Sequence, residues 1–133
     1  MSESDSERVE RGREFIDKIN HDTMTKLFER LNPVAPDFER LVLGGDIADI
    51  WDRDQLSLRE RLIVRLGVAA AIGGPDSTTQ GILAAALNVG ISPEDIAEMF
   101  VQTVPQIGYI RLIASLEALQ TALESRRPAS ASA

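Results

Sequence analysis

Residues 73–80 read Gly-Gly-Pro-Asp-Ser-Thr-Thr-Gln, a short polar break between two alanine-rich apolar segments. Asp76, Ser77, Thr78, Thr79 and Gln80 gather a carboxylate, hydroxyls and an amide where a helix should start. With the free N–H groups of a helix start, Ser77, Thr78 and Gln80 can bind a carboxylate or an enolate oxygen. Asp76 or Ser77 can equally serve as an ordinary N-cap. A second polar group is Trp51-Asp52-Arg53, followed by Arg61. Arg53 or Arg61 can clamp a substrate carboxylate through two parallel hydrogen bonds beside Trp51. The plainer alternative is a surface ion pair next to a packed tryptophan. Arg61 is followed by Leu62, Ile63 and Val64, so its cation requires a partner, with Glu60 and Asp52 at hand. Gln102, Gln106 and Tyr109 interrupt an apolar stretch around Pro105. Gln102 is placed to contact a substrate. Tyr109 can protonate a developing oxyanion, or stand half-buried with its hydroxyl in water. His21 is the sole histidine, a side chain whose unperturbed pKa lies near neutrality. Tyr109, His21 and Asp52 are therefore the candidates for proton transfer.

Composition narrows the chemistry. The 133 residues suit one domain with a core of its own. There is no cysteine, which removes disulfides, thiolate catalysis and iron–sulfur clusters. One histidine removes a multi-histidine metal site from a single chain. No loop has carboxylate spacing suited to a hard cation, so no metal is expected. A formal net charge of −7 argues against nucleic acid as a partner. The longest apolar run, at 68–72, is too short to span a bilayer. The start, MSESDSERVERGRE, has no apolar signal core. A cytoplasmic protein without membrane association is the expectation.

The elements that must position these residues are helical throughout. A first helix is expected over about 6–20, with Val9, Phe15, Ile16 and Ile19 as its stripe. A second follows over about 22–31 through Met24, Leu27, Phe28 and Leu31. Asn32-Pro33 ends it. A short helix from Pro36 should stop at Gly44-Gly45, with another short piece over 46–51. Ser57-Leu58-Arg59-Glu60 is a capping box opening a helix to about Ile72. That helix is apolar on most faces, which predicts extensive burial. The next should run from Asp76 or Ser77 to Asn88 with Gly90 as its stop. Ser92-Pro93-Glu94-Asp95 combines an N-cap serine, an N1 proline and first-turn acids. The last helix starts at Pro105 and runs to about Ser125, with Ile110, Ile113, Leu116, Leu119 and Leu123 on one side. Residues 1–5 and 126–133 lack an apolar period and are expected to be disordered, leaving one helical domain over 6–125. This is an all-α chain of five to seven helices with wide apolar faces, some of which should pack against copies of itself.

Three segments resemble the carboxymuconolactone decarboxylase family, which shares its fold with the alkylhydroperoxidase D proteins. Trp51 to Arg61 is similar to the family pattern W-x-R-x-x-L-x-x-R-x-R. Residues 86–98, ALNVGISPEDIAE, are similar to A-L-N-N-G-V-T-x-E-E-I-x-E. Gln102 to Gly108 resembles Q-x-x-x-Y-x-G. The resemblance spans roughly 45–123. It implies a compact helical protomer assembling as trimers or hexamers, with pockets lined by core helices. It also implies decarboxylases of small lactone acids, which need no cofactor, or thiol peroxidases. The family's C-x-x-C-x-x-x-H residues would fall on Pro75, Thr78 and Ile82, where its decarboxylases place an acid and a histidine at the last two. Counting forward from Arg59 and Arg61 moves the latter pair to Ser77 and Gly81. No cysteine or histidine stands at any of these positions, so thiol peroxidase chemistry is excluded. The expectation is a cofactor-independent lyase, isomerase or cyclase for a small or polyketide-like organic acid or lactone. The alternative is a ligand-binding or assembly protein that kept the fold without catalysis.

Overall fold

The computed structural model describes residues 2–74 and 76–127. Every regular element among them is helical, and the architecture is all-α. Internal contacts divide the chain into two compact units, Met1–Arg61 and Leu62–Ala133.

In the first unit α1 spans Asp5–Leu31. Its start lies in the segment expected to be disordered, and the reason is local. Ser4 and Glu7 form a capping box: Glu7 N donates to Ser4 Oγ at 3.1 Å and Ser4 N to the Glu7 carboxylate at 3.0 Å. Glu3 also pairs with Arg11 at 2.9 Å. The two helices expected on either side of residue 21 are one element with a break at Asn20, whose backbone (φ −162°, ψ 50°) is not helical.

The short helix α2, Phe38–Leu41, continues directly into a π-helix over Val42–Trp51. Gly44-Gly45 therefore does not end a helix, contrary to expectation. Packing supplies the reason for the first of them. The π-helix packs on α1, and a Cβ at Gly44 would stand 3.3 Å from Arg8 Nε and 3.5 Å from Val9 Cγ2. On the facing helix, a Cβ at Gly12 would overlap the Leu43 carbonyl oxygen. These glycines allow two helices to approach closely. Gly45 meets nothing within 4 Å, and packing does not account for it. Leu43, Ile47, Ala48, Trp51, Ile16, Ile19 and Phe28 form the core here, with Phe15 edge-on to Trp51 at 6.1 Å.

The remaining helices are α3 (Leu58–Ile72), α4 (Asp76–Asn88), α5 (Pro93–Gln102) and α6 (Val104–Ser125). The capping box that opens α3 is present: Ser57 N donates to the Glu60 carboxylate at 2.9 Å and Glu60 N to Ser57 Oγ at 3.1 Å. Hydrogen bonds from Ser57, its backbone N–H first and then its side chain, hold the Glu60 carboxyl below its ordinary pKa. α5 starts at the expected Ser92 cap, whose hydroxyl accepts from Asp95 N at 3.1 Å. Past the end of α4, Ile91 N donates back to Ala86 O at 3.1 Å. In the second unit α6 packs on both α4 and α5. Leu62, Leu66, Leu83, Ile96 and Phe100 are fully enclosed.

Two burial expectations fail. On α3 only Leu62, Leu66 and Ala70 are buried, while Val64, Val68 and Ile72 are 55%, 51% and 68% exposed. At 100° per residue, a two-residue offset places the second stripe nearly opposite the first. The core of one chain takes one stripe only. On α6 the buried line is Leu119, from the expected apolar side, with the small residues Ser115 and Ala122, while Ile110 and Ile113 face outward. Gly108 (φ 84°) breaks this helix near its start.

Candidate functional site

The end of α3, the start of α4 and the middle of α6 enclose a partly open pocket of about 380 Å³. That volume is at the lower end of the range for small-molecule sites. Ala69, Ala70, Ala114 and Ala118 give it small walls, and Gly73 and Gly74 form its lip. Its polar groups are Asp76, Thr79, Gln80, Arg111, Ser115, Glu117 and Thr121. The break at 73–80 therefore forms one side of a pocket as well as a turn.

The guanidinium of Arg111 lies close against Gly73. The glycine has φ 66°, and a Cβ there would overlap Arg111 Nη1. An L side chain rarely adopts that backbone, and here it would also occupy the space of the guanidinium. None of the ion pairs among the described residues involves Arg111. Across the pocket, Gln80 is oriented by its own hydrogen bond, Nε2 donating to Ala118 O at 2.8 Å. A carbonyl can only accept, so the amide nitrogen must face it and Oε1 is left as an acceptor.

The sequence candidates do not converge here as a group. Gln80 lines the pocket; Ser77 and Thr78 stand in the first turn of α4 without being among its lining residues. Tyr109 is 70% exposed and Gln102 donates to Glu98 at 2.8 Å on the surface of α5, and neither lines the pocket. The other candidates belong to the first unit, and all but Arg53 have side-chain partners among its described residues. Asp52 accepts from Arg11 at 3.0 Å. Trp51 is buried against Phe15. Arg61 donates to the carbonyl oxygens of Trp51 and, at 3.3 Å, Ser57, rather than to an acid. Arg53 is exposed on the turn after the π-helix. His21 pairs with Asp17 at 2.6 Å, which raises its pKa above the ordinary imidazole value. Pro75, where a family cysteine would fall, lies outside the described residues, as do residues 128–133 of the expected tail.

Residues 36–121 match the Carboxymuconolactone decarboxylase family. The chain belongs to this family. The matched span runs from just before α2 to Thr121 and includes every residue that lines the pocket. His21 lies outside it. A comparison with curated proteins gave no match. As a family member the chain has no cysteine for thiol chemistry. No helix among the described residues is long and apolar enough to cross a membrane.

Sequence reasoning missed Arg111 and Glu117. A signal for the arginine existed: it is the one basic residue in the 22-residue α6, set among Ile110, Leu112 and Ile113. A lone cation within an apolar turn of a helix requires a reason.

Proposed function

We propose that this carboxymuconolactone decarboxylase family member is a cofactor-independent enzyme for a small organic acid or lactone. The reaction is a decarboxylation, cyclisation or isomerisation driven by proton transfer and oxyanion stabilisation. The observation that carries this reading is Arg111, which lies against Gly73 and lines a pocket with no ion-pair partner among the described residues. A guanidinium so placed can hold a substrate carboxylate or an enolate oxygen. Thr79 and Thr121 add hydroxyls, and the first turn of α4 adds N–H groups and a positive dipole end. Among the lining side chains, Asp76 and Glu117 are the ones able to accept a proton from carbon. They take the role that His21, Tyr109 and Asp52 held in the sequence reading.

The exposed stripes support a second element of this reading. Val64, Val68 and Ile72 on α3, with Ile110 and Ile113 on α6, are large apolar side chains in contact with solvent. We infer that copies of the chain cover them in a homo-oligomer, a trimer or hexamer, of a cytoplasmic protein. If assembly is the main task, the alternative of a non-catalytic family member gains.

One experiment separates the two. The protein is incubated in D2O with a panel of lactones and oxo acids and followed by proton NMR for deuterium uptake, loss of CO2 or isomerisation. The enzyme reading expects turnover of at least one compound, reduced about a hundredfold in Arg111→Ala. Complete inertness of the native protein toward the panel would favour the binding or assembly reading. Native mass measurement tests the oligomer, and a stable monomer at micromolar concentration would remove it.

A further inference from the structure

The polar groups around the pocket are unevenly divided between donors and acceptors, and this division selects a ligand class. Arg111 is the one cation among the lining residues. Facing the same space are the carboxylates of Asp76 and Glu117 and the free Oε1 of Gln80. The amide cannot turn to offer its NH2 group without giving up the bond to Ala118 O. Three acceptors therefore stand against one charged donor, with the Thr and Ser hydroxyls able to serve as either. Two carboxylates outweigh one guanidinium, in a chain of formal net charge −7. A dicarboxylate would satisfy Arg111 with one end and bring its second charge against Asp76 and Glu117. Asp76, Glu117 and Arg111 are exposed at the mouth of the pocket, and there like charges repel through water-screened Coulomb interactions.

We propose that the pocket takes an amphoteric ligand: one carboxylate on Arg111 and one protonated donor, an ammonium, toward Asp76, Glu117 and Gln80 Oε1. This deepens the reading of the same pocket as an organic-acid site and rests on it. Its consequence is discrimination against dicarboxylic acids, which the pocket excludes by charge rather than by volume.

Matched triplets of probes test the proposal. On each of a phenyl, a cyclohexyl and a butyl skeleton, binding is measured by calorimetry for the monoacid, the 2-amino acid and the diacid. For the phenyl series these are 3-phenylpropionate, phenylalanine and benzylmalonate. The amino acid should bind at least about tenfold more tightly than the diacid, with the monoacid between them. Arg111→Gln should abolish binding of all three. Gly73→Ala, which displaces the guanidinium without removing it, should weaken all three. The double variant Asp76→Asn, Glu117→Gln should remove the amino acid's advantage and admit the diacid. Two failures are distinguishable. Arg111-dependent binding in which the diacid equals or exceeds the amino acid overturns the amphoteric class and leaves the organic-acid site standing. Binding that is absent, or is unchanged by Arg111→Gln, removes both.

Discussion

Arg8, Arg11, Arg13 and Arg40 of the first unit each meet a carboxylate, whereas Arg111 of the second faces a pocket wall of small residues. Arg11 alone reaches Glu3 at 2.9 Å, Asp52 at 3.0 Å and Ala48 O at 2.7 Å. The hydrogen bonds with Glu3 and then Asp52 push its pKa above the ordinary guanidinium value, and Arg11 in turn lowers that of Glu3. In the first unit, Arg8 and Arg11 tie α1 to the π-helix and its C-cap through Asp49 and Asp52. In the second, Arg126 donates to Asn88 Oδ1 at 2.9 Å, while Arg111 lines the cavity beside Asp76 and Glu117. A charged side chain near a family-like motif is therefore weak grounds for a functional role until its partners are counted. Asp52 and Arg61 looked functional and are structurally engaged; Arg111 was passed over.

If this contrast is right, the second unit should depend on apolar burial and the first on close packing helped by charge. The largest effect should come from Phe100, which is 1% exposed. Phe100→Ala should cost about 3–5 kcal/mol in chemical denaturation. A loss below about 1 kcal/mol would mean that the second unit is not held by its apolar core. Next comes Gly12→Ala, whose new methyl group would overlap the Leu43 carbonyl and force α1 away from the π-helix. The expected cost is about 1–3 kcal/mol. A neutral result would show that the two helices do not approach as closely as described.

Gly73→Ala sharpens the contrast at the pocket. Its strain at φ 66° should cost about 1–2 kcal/mol, and weaken carboxylate binding through Arg111 at the same time. Retained binding would indicate that the guanidinium does not need that glycine. Arg11→Ala should cost about 1 kcal/mol or less, because the side chain is 39% exposed and its pairs are screened. The loss should shrink further at 1 M salt. A salt-independent loss of several kcal/mol would mean that the charge mesh, rather than helix packing, holds the first unit.

Much of the fold was legible because its signals are local. The boxes at Ser57–Glu60 and the start at Ser92-Pro93 depend on residues within one turn, and both appear where the pattern places them. The break at Asn20 falls where two amphipathic stripes meet. Gly44-Gly45 misled because a glycine that ends a helix and a glycine that admits a neighbouring helix look alike until the neighbour is known. The α3 stripes misled for a related reason: hydrophobicity marks a face that wants covering without naming what covers it. At the pocket, the polar break that the sequence singled out at 73–80 contributes Gly73, Gly74, Asp76, Thr79 and Gln80 to the lining. Arg111 is 38 residues from Gly73, and only the packing of α6 near that turn brings its guanidinium there.

The smallest expected effect concerns His21, which the sequence put forward as a proton carrier and the structure places in an exposed pair with Asp17. The hydrogen bond that the ring donates to the Asp17 carboxylate, then the charge of Asp17, raises the imidazole pKa from its ordinary 6.5. A group whose folded pKa is raised stabilises the fold while it is protonated in both states. That contribution is fully present below pH 6.5 and is lost as pH rises through the raised folded value. His21→Gln should therefore flatten a shallow decline in stability across that window and leave stability at higher pH unchanged. It should also leave carboxylate binding and any turnover in the pocket intact, since His21 belongs to the charge-paired unit. Loss of turnover with normal stability in His21→Gln would reverse the assignment and return the proton-transfer role to the first unit.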